Sequence, residues 1–434
     1  MNAPFDTLAA FGPDAAIQPA PDHQIAVIGL GYIGLPTAAV LASYGWNVCG
    51  VDISDKVVKT VNSGGVHIEE RDLDRLVREA SESGRLTAST MVPTAHFYMI
   101  AVPTPLGPGN QPDTRFVEAA ARSIAPQLLP GACVIVESTS PVGTTEKVAD
   151  IIAEIRPDLR VPQFGDAEGG DIALAYCPER VLPGRIVHEL VANDRVIGGV
   201  TEACAERAAA LYTSFVRGDC LTTNARVAET VKLVENSFRD VNIAFANELS
   251  MIADEIGVDV WDVIRLANRH PRVNILQPGP GVGGHCIAVD PWFLVAGAPK
   301  AARLVRTARE VNDHKAVHTE QRIRALLQAA SGGKVALLGL AFKPDIDDFR
   351  ESPALEIAES LAKDCGKRLL VVEPFADELP HGLADTGAKL VSLDAALKAA
   401  EIVVVLVDHT AFKHLSPADL AGKITFDTRG MLNR

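Results

Sequence analysis

Short apolar runs alternate with helical patterns in the first half of the chain. Strands are predicted for residues 24–29, 47–51, 97–102, 133–137, 173–177 and 195–198. Helical patterns such as 116–128 and 145–155 separate these runs. The alternation predicts a doubly wound, mainly parallel sheet, and such sheets bind their ligands beyond the carboxyl ends of the strands.

Two long helical patterns occupy the middle of the chain, at residues 224–256 and 303–330. The first contains no proline or glycine before Gly257, and it carries enough apolar side chains to be buried in an interface. Paired long helices between two α/β regions predict a spine and a dimer contact.

A second alternating pattern fills the end of the chain. Strands are predicted at residues 334–340, 368–372, 389–391, 402–407 and 423–426, and helices at 353–363 and 393–400. This region has no Gly-x-Gly-x-x-Gly sequence, so we expect it to bind a ligand different from that of the first sheet. The predicted fold class is α/β, with two Rossmann-like doubly wound domains joined by a long-helix central dimerisation region.

The predicted boundaries follow these patterns. They give a flexible tail at 1–22, an N-terminal Rossmann domain at 23–222, a central helical region with a candidate catalytic cysteine at 223–331, and a C-terminal Rossmann-like domain at 332–434. The tail has no Lys, no Arg and no sustained apolar run, so it does not match a secretory signal.

Composition narrows the class of protein. The chain of 434 residues is 47% hydrophobic and 22% charged, and no apolar run approaches the roughly 20 residues of a membrane span. A formal charge of −14 disfavours general affinity for nucleic acid or anionic membranes, so a small-molecule partner is expected. The seven cysteines never form a Cys-x-x-Cys pair, which favours the cytoplasm and disfavours a disulfide framework or a metal site.

A glycine turn follows the first predicted strand. Gly29 permits a tight turn, Gly31 lets the backbone approach a pyrophosphate, and Gly34 lets the next helix pack on the strand. Asp52 ends the second strand, where an acid binds the ribose 2′-hydroxyl and repels a 2′-phosphate. The combination predicts a dinucleotide site that prefers NAD to NADP.

Hydroxyl side chains lie in the loops after later strands of the same sheet. Thr104, Thr139 and Thr145 are candidate cofactor contacts because these loops lie at the carboxyl ends of the strands. The alternative is that the hydroxyls cap turns and helices.

A glycine- and proline-rich loop precedes Cys286. Residues 278–284 cannot form a regular helix or strand, so this loop can approach a ligand closely and present the thiol beside Asp290 as a nucleophile. The alternative is a buried structural cysteine.

Polar side chains form two further candidate groups. Lys232, Asn236 and Arg239 lie at i, i+4 and i+7 on one stripe of the first long helix, although solvated helix faces often carry such residues. Near strand ends of the second sheet, three cations can hold a diphosphate: Lys343, Arg350 and Arg429.

Six motifs occur in one order, at residues 27–36, 137–143, 175–180, 235–248, 279–291 and 339–343. On these motifs the sequence, from Gln24 to the C terminus, resembles the UDP-sugar 6-dehydrogenase family, which is the UDP-glucose/GDP-mannose dehydrogenase family. A set of this length in this order is highly specific.

The resemblance implies oxidation of the sugar C6 alcohol to a carboxylate with two NAD. Cys286 would form a thiohemiacetal and then a thioester, which water hydrolyses. Lys232 and Asn236 would stabilise the oxyanion and take part in proton transfer, while Glu179 and Asp290 would position or activate water. The catalytic set also includes Thr139.

The resemblance also implies two sets of binding residues. Substrate contacts match Arg180, Val181, Lys232, Asn236, Arg239, His270, Arg272, Gly283, Phe342, Lys343 and Arg429. Cofactor contacts match Gly29, Gly31, Tyr32, Ile33, Gly34, Asp52, Thr104, Thr145 and Arg350. Arg272 is expected to reach across a homodimer, and the C-terminal domain is expected to bind the UDP-sugar.

The substrate within the family depends on fewer residues. The segment 267–276 and the pair Arg239 and Asp240 resemble those of family members that act on UDP-N-acetylmannosamine, with UDP-N-acetylglucosamine or UDP-glucose as alternatives. The resemblance also implies a role in polysaccharide biosynthesis. Two other classes stay open: a non-catalytic nucleotide-sugar-binding protein and a one-step hydroxyacid dehydrogenase.

Overall fold

The computed structural model describes residues 24–167, 169–284, 286–330 and 332–432. The tail predicted at 1–22 lies outside these ranges. The chain divides between Leu233 and Val234 into two compact units. The finer division into four segments stays a prediction.

The first unit is built on one large sheet. Its strands are β1 (Ile25–Ile28), β2 (Val48–Val51), β3 (Leu86–Ser89), β4 (Phe97–Ile100), β7 (Cys133–Val136), β8 (Ala173–Tyr176), β9 (Arg195–Gly199) and β10 (Cys220–Asn224), with a separate hairpin of β5 (Leu106–Gly107) and β6 (Gln111–Pro112). The sheet order is β10-β9-β8-β7-β4-β1-β2-β3, and β8 pairs antiparallel with β9 while the other neighbours pair parallel. The mainly parallel sheet is confirmed.

The helices of this unit follow the strands as predicted for a doubly wound fold. They are α1 (Gly34–Ser43), α2 (Asp55–Asn62), α3 (Leu73–Glu82), α4 (Arg115–Ile124), α5 (Thr144–Ile155), α6 (Ile186–Ala192) and α7 (Glu202–Tyr212). Every residue of the central strands β1, β4 and β7 is buried, which explains their unbroken apolar sequences.

Two strands of this sheet are absent from the sequence prediction. The strands β3 and β10 lie at the two edges, where half of their side chains or more are at least partly exposed. Their sequences, Leu86–Ser89 and Cys220–Asn224, therefore contain threonine, serine and asparagine instead of an apolar run.

A long helix, α8 (Ala225–Ile256), runs across the boundary between the units. The second unit then contains α9 (Val260–Ala267), α10 (Asp290–Gly297), α11 (Arg303–Ala329), β11 (Val335–Leu338), α12 (Pro353–Cys365), β12 (Leu369–Val372), β13 (Lys389–Leu390), α13 (Leu393–Ala399), β14 (Ile402–Val405) and β15 (Ile424–Asp427). Both predicted long helices are confirmed.

The five strands of the second unit form a parallel sheet in the order β13-β12-β11-β14-β15. Alternate residues of β11 enter different cores: Val335 and Leu337 pack with α12, whereas Ala336 and Leu338 pack with α13. Both faces of the sheet are therefore covered, and the second Rossmann-like sheet is confirmed. In the described part of the chain, no helix is long and apolar enough to cross a membrane.

Candidate functional site

The three glycines of the first turn differ in what surrounds them. Gly29 has a φ of +93°, and a Cβ there would lie 2.6 Å from the carbonyl oxygen of Ala101. A Cβ on Gly34 would lie 1.8 Å from the carbonyl oxygen of Gly29, whereas a Cβ on Gly31 would meet no described atom within 4 Å. The fold thus requires Gly29 and Gly34, and Gly31 leaves the turn open to a ligand.

Asp52 lies beside this turn at the end of β2. Its Oδ2 accepts a hydrogen bond from the Leu30 amide at 3.0 Å, and its Oδ1 accepts one from the Ser54 amide at 2.9 Å. Tyr32 is exposed and Ile33 half-buried in the turn itself. The start of α1, an open glycine and a carboxylate therefore lie together, which fits the predicted dinucleotide site.

The threonines in the neighbouring loops mainly bind other parts of the protein. The Thr104 hydroxyl donates to the Thr139 carbonyl oxygen at 2.5 Å. The amide and hydroxyl of Thr145 both donate to Glu229, whose other oxygen accepts from the Gly143 amide at 2.6 Å. Glu229 therefore caps the start of α5, and Thr145 is completely buried in this cap. The cofactor role of Thr145 stays a prediction.

Glu179 belongs to a buried polar cluster at the ends of β7 and β8. Its Oε2 is 2.5 Å from Arg195 Nη1, and its Oε1 accepts from the Arg180 amide at 2.8 Å. Glu137 accepts from the Tyr212 hydroxyl at 2.7 Å, while its other oxygen has no described hydrogen-bond partner. Burial raises the pKa of the Glu137 carboxyl to about 7, with a further rise from the charge on Glu179.

The stripe on α8 passes from buried to exposed. Lys232 is buried, Asn236 is half-buried and Arg239 is exposed. Asn236 Nδ2 donates to Asp290 Oδ2 at 2.5 Å, so this amide is held at a fixed orientation. The alternative that this stripe is a solvated helix face therefore fits the exposed Arg239 but not the buried Lys232.

Cys286 lies one turn before Asp290. The Asp290 amide donates to the Cys286 carbonyl oxygen at 2.9 Å, and Asp290 begins α10 as a buried residue. Cys286 is exposed, in contrast to Cys133 and Cys177, which are buried in the core of the first unit. The alternative of a buried structural cysteine is therefore wrong.

The glycine-rich loop before Cys286 is fixed at both ends. At its start, the Gly279 amide donates to Asn247 Oδ1 on α8 at 2.9 Å. At its end, the Gly284 amide donates to the Glu351 carbonyl oxygen at 3.3 Å, and a Cβ on Gly284 would lie 3.0 Å from the Phe342 ring. The loop that presents Cys286 thus packs directly on the loop that follows β11.

The support at Asn247 extends into a buried network between α8 and α11. Asn247 Nδ2 donates to Asn312 Oδ1 at 2.9 Å, and Asn312 Nδ2 donates to Asp240 Oδ1 at 2.8 Å. Arg309 Nη1 is 2.6 Å from the same Asp240 oxygen. The two long helices are therefore tied together under the cysteine loop.

The three cations of the second sheet lie in loops after β11 and β15. Lys343 is half-buried with its ammonium 5.7 Å from the centroid of Phe342. Arg350 binds Asp348 with two hydrogen bonds of 2.8 and 2.6 Å. Arg429 donates to Asp408 at 2.9 Å, near Gly279. Arg429 thus lies close to the cysteine loop, and Lys343 follows Phe342, which packs on that loop, whereas Arg350 is held by Asp348.

The remaining predicted substrate residues are spread over the two units. Arg180 and Val181 are half-buried after β8, and Arg180 Nη2 donates to the Asp194 carbonyl oxygen at 2.5 Å. His270 and Arg272 are exposed after α9. The dimer-crossing role of Arg272 stays a prediction.

Sequence reasoning missed several supporting residues. One signal was present: Asp240 and Asn247 are seven residues apart on α8, so two polar side chains recur on one buried stripe. A second signal was the position of Glu373, which follows an apolar strand as Asp52 does. Glu229 and Arg195 gave no local signal.

Comparison with known families decides the class of protein. Profiles of the UDP-glucose/GDP-mannose dehydrogenase family match as an NAD-binding domain at residues 23–216, a central domain at 226–314 and a UDP-binding domain at 336–434. The chain belongs to this family. The predicted enzyme class and the cofactor NAD are confirmed, and a one-step hydroxyacid dehydrogenase is disfavoured.

Individual relatives are similar over nearly their whole length. The UDP-N-acetyl-D-mannosamine dehydrogenase of Escherichia coli K12 is 55% identical over 415 residues, which are 94% of this chain and 98% of that protein. The NDP-N-acetyl-D-galactosaminuronic acid dehydrogenase of Ralstonia nicotianae is 56% identical over 409 residues, 94% of this chain and 96% of that protein.

Solved structures agree with the fold. The UDP-N-acetyl-mannosamine dehydrogenase Cap5O from S. aureus superposes with a TM-score of 0.83 at 41% identity, covering 95% of this chain and 96% of that one. The UDP-D-ManNAc dehydrogenase from Pyrococcus horikoshii gives 0.82 at 40% identity, covering 94% and 96%.

Proposed function

We propose that the protein oxidises the C6 hydroxyl of UDP-N-acetyl-D-mannosamine to the carboxylate of UDP-N-acetylmannosaminuronate in two NAD-dependent steps. Relatives with this activity in their names share 55% of their residues with it. The observation that carries the proposal is the exposed Cys286, presented one turn before Asp290 and its bonded Asn236.

The two steps need different chemistry from the protein. The Gly29–Gly34 turn would hold NAD, which would supply the hydride acceptor for each step. The first step removes a hydride and a proton from the alcohol and leaves an aldehyde. Loss of a hydride directly from the aldehyde carbon would leave an unstable acylium cation, so a nucleophile must add to this carbon first.

Cys286 supplies this nucleophile. Its sulfur adds to the aldehyde carbon while a proton is added to the aldehyde oxygen, which forms a thiohemiacetal. Loss of the second hydride together with the hydroxyl proton gives a thioester. Water then adds to the thioester, the carbon–sulfur bond breaks, and the carboxylate leaves as the thiol is restored. The net reaction consumes one water and transfers two hydrides per sugar.

Lys232 and Asn236 stabilise the charge that develops on oxygen during these additions. Their positions at i and i+4 place them one helical turn apart. Because Asp290 binds one N–H of the Asn236 amide, the other N–H keeps a fixed direction. Asp290 is also suited to orient the water.

Glu179 is the second carboxylate proposed to position or activate the water. Arg195 and the Arg180 amide hold its two oxygens, so the carboxylate cannot rotate. This support fixes an anion that we assign to water activation, and Thr139 is the remaining proposed catalytic residue.

The sugar is tested by a panel of UDP-sugars. UDP-N-acetylmannosamine should give the highest kcat/KM. A second candidate is an N-acetylgalactosamine-type substrate, because the Ralstonia relative is equally similar. A higher kcat/KM for that sugar, UDP-N-acetylglucosamine or UDP-glucose would overturn the sugar assignment but leave the family assignment intact.

The covalent mechanism is tested by the variant Cys286→Ser. The wild type should release two NADH per sugar and no free aldehyde, and a sugar adduct on Cys286 should be detectable by intact mass. The serine variant should lose turnover but keep UDP and NAD affinity. Cys365→Ser, at a half-buried cysteine on α12, is the matched control and should behave as wild type. If Cys286→Ser still formed two NADH per sugar at the wild-type rate, the covalent mechanism and the catalytic role of this thiol would be refuted.

The proposed assembly is a cytoplasmic homodimer through α8. This helix exposes a stripe of large apolar side chains at spacings of seven and four: Phe238, Phe245, Ile252 and Ile256. Phe238 is 71% exposed and Ile256 66% exposed, which favours burial against a second copy. Phe238→Asp should shift sedimentation from dimer to monomer, and an unchanged dimer would contradict this interface.

A further inference from the structure

His409 is a completely buried polar residue in the loop after β14. Its Nε2 lies 3.2 Å from Glu373 Oε2, and its Nδ1 accepts a hydrogen bond from the Asp345 amide at 3.0 Å. The ring packs between Phe375 and Phe412, with centroid distances of 5.2 and 5.4 Å. Both ring nitrogens are therefore engaged.

These contacts decide the tautomer of His409. Because the Asp345 amide donates to Nδ1, that nitrogen carries no proton. The proton lies on Nε2 and is donated to Glu373, whose same oxygen accepts from the Leu340 amide at 2.6 Å. His409 thus joins three loops that leave the same end of the sheet, after β11, β12 and β14.

The loop after β11, residues 339–352, is bound at two points by the loops that follow β12 and β14. Glu373 holds its start at Leu340. Its middle is held at Asp345, a non-glycine residue with φ of +61° whose carboxylate accepts from the Thr410 amide and hydroxyl at 2.8 and 2.6 Å. The left-handed conformation costs free energy, so the contacts from His409 and Thr410 are what keep it.

The segment between these two points carries a residue that packs on the cysteine loop and a candidate ligand-binding cation. Phe342 packs against Gly284, two residues before Cys286, and Lys343 is the adjacent cation. The position of Phe342 and Lys343 therefore depends on the bonds made by His409.

We propose that His409 is a positioning residue for the UDP-sugar, which fixes the 339–352 loop so that Lys343 meets the diphosphate and Phe342 supports the Cys286 loop. The inference rests on the proposed function, because it takes a UDP-sugar as the ligand. A histidine that only filled space would give a different result in the test that follows.

The test compares His409→Phe with His409→Gln. Phenylalanine keeps a flat ring but removes both hydrogen bonds, whereas glutamine keeps one acceptor and one donor. UDP and NAD are titrated separately by calorimetry, with Tm and binding stoichiometry as checks on folding. His409→Phe should raise the Kd for UDP about tenfold or more, and His409→Gln should raise it less than about threefold. Only phenylalanine removes both hydrogen-bond partners that His409 offers to the Asp345 amide and to Glu373. NAD affinity should stay at the wild-type value in both.

Two further variants keep the test decisive. His414→Phe changes an exposed histidine in the same unit and should bind UDP as wild type does. Thr410→Val removes one hydroxyl bond to Asp345 at an exposed site and should weaken UDP about two- to fivefold even where His409→Phe fails to fold.

Each outcome separates the inference from the proposed function. If the wild type does not bind UDP, the proposed function fails. If the wild type binds UDP and His409→Phe and Thr410→Val bind it equally well, the positioning role is overturned while the proposed function stands. Equal weakening by glutamine and phenylalanine would also overturn it, because the hydrogen bonds would then not matter. In turnover, the expected signature is a raised KM for the UDP-sugar with the KM for NAD unchanged.

Discussion

In each unit the first strand is followed by the same kind of glycine turn, but the residues after that glycine differ between the two units. Gly29 after β1 and Gly339 after β11 have φ of +93° and +89°. The Gly29 amide donates to the Val51 carbonyl oxygen at 2.7 Å, and the Gly339 amide donates to the Val372 carbonyl oxygen at 2.9 Å. Each turn is thus tied to the end of the next strand in the same way.

In both units an acidic residue at the end of that next strand accepts a hydrogen bond from the turn. Asp52 accepts from the Leu30 amide, and Glu373 accepts from the Leu340 amide. Beyond this point the two acids differ, because Glu373 is also bound to the buried His409, whereas Asp52 is half-buried beside the turn.

The residues after the shared glycine decide what each turn can bind. In the first turn Gly31 is open and α1 begins at Gly34, so the first amides of the helix are available to bind a phosphate. In the second turn the matching positions hold Ala341 and Pro344, and α12 does not begin until Pro353. A loop bearing a cation replaces the helix start. We therefore propose that one topology provides a dinucleotide site in one unit and a different anion site in the other.

The largest expected effect comes from Gly34→Ala. A Cβ there would lie 1.8 Å from the Gly29 carbonyl oxygen, which nothing but a backbone shift can relieve. We expect a loss of stability on the order of 4 kcal/mol or more in urea unfolding, together with loss of NAD binding. Pro344→Ala at the matching position of the second turn should change stability by about 1 kcal/mol or less. Equal effects would show that the two turns pack alike.

A smaller effect, on the pH dependence of folding stability, is expected from the acidic residues buried at the ends of the strands. Burial raises the pKa of Glu137 to about 7, while Glu373 has a lowered pKa because its hydrogen bonds with His409 and backbone amides outweigh its burial. A raised pKa stabilises the fold at low pH, and that contribution is lost as the pH rises from about 4.5 to about 7.

Glu137→Gln removes this titration. Relative to wild type, the variant should gain on the order of 2 kcal/mol between pH 5 and pH 8, with no further change above that range. Urea unfolding at several pH values measures the difference. Glu154→Gln, at an exposed acid on α5, is the control, and a pH-independent difference for Glu137→Gln would contradict the raised pKa.

The smallest effect is on cofactor choice. Asp52→Asn keeps the hydrogen-bonding shape but removes the negative charge that repels a 2′-phosphate, so the preference for NAD over NADP should narrow about tenfold. The ratio of kcat/KM values measures it. Glu373→Gln, at the matching position of the second turn, should leave that ratio unchanged, and equal wild-type kcat/KM with the two cofactors would refute the role of Asp52.

Sequence patterns predicted the fold where side chains are buried on both faces. The strands β1, β4, β7 and β11 are apolar throughout and were predicted within two residues at each end. The edge strands β3 and β10 were not, because their partly exposed side chains remove the apolar signal.

The residues of the candidate site also divide into those with a local sequence signal and those without one. Cys286, Asp290 and Asn236 could be found because glycine spacing and helical periodicity are local signals. Glu229 and His409 could not, because they bind residues 84 and 64 positions away and neither distance is encoded in a motif. Tertiary packing alone brings these partners together.

The division of ligands between the two turns is tested most directly by titrating NAD and UDP into Gly31→Ala and Lys343→Ala. A methyl group at Gly31 touches no described protein atom, so Gly31→Ala should fold normally and weaken NAD about tenfold or more while UDP binds as in wild type. Lys343→Ala should weaken UDP to a similar extent and leave NAD unchanged. Wild-type NAD affinity in Gly31→Ala, or a loss of both ligands in either variant, would contradict the account.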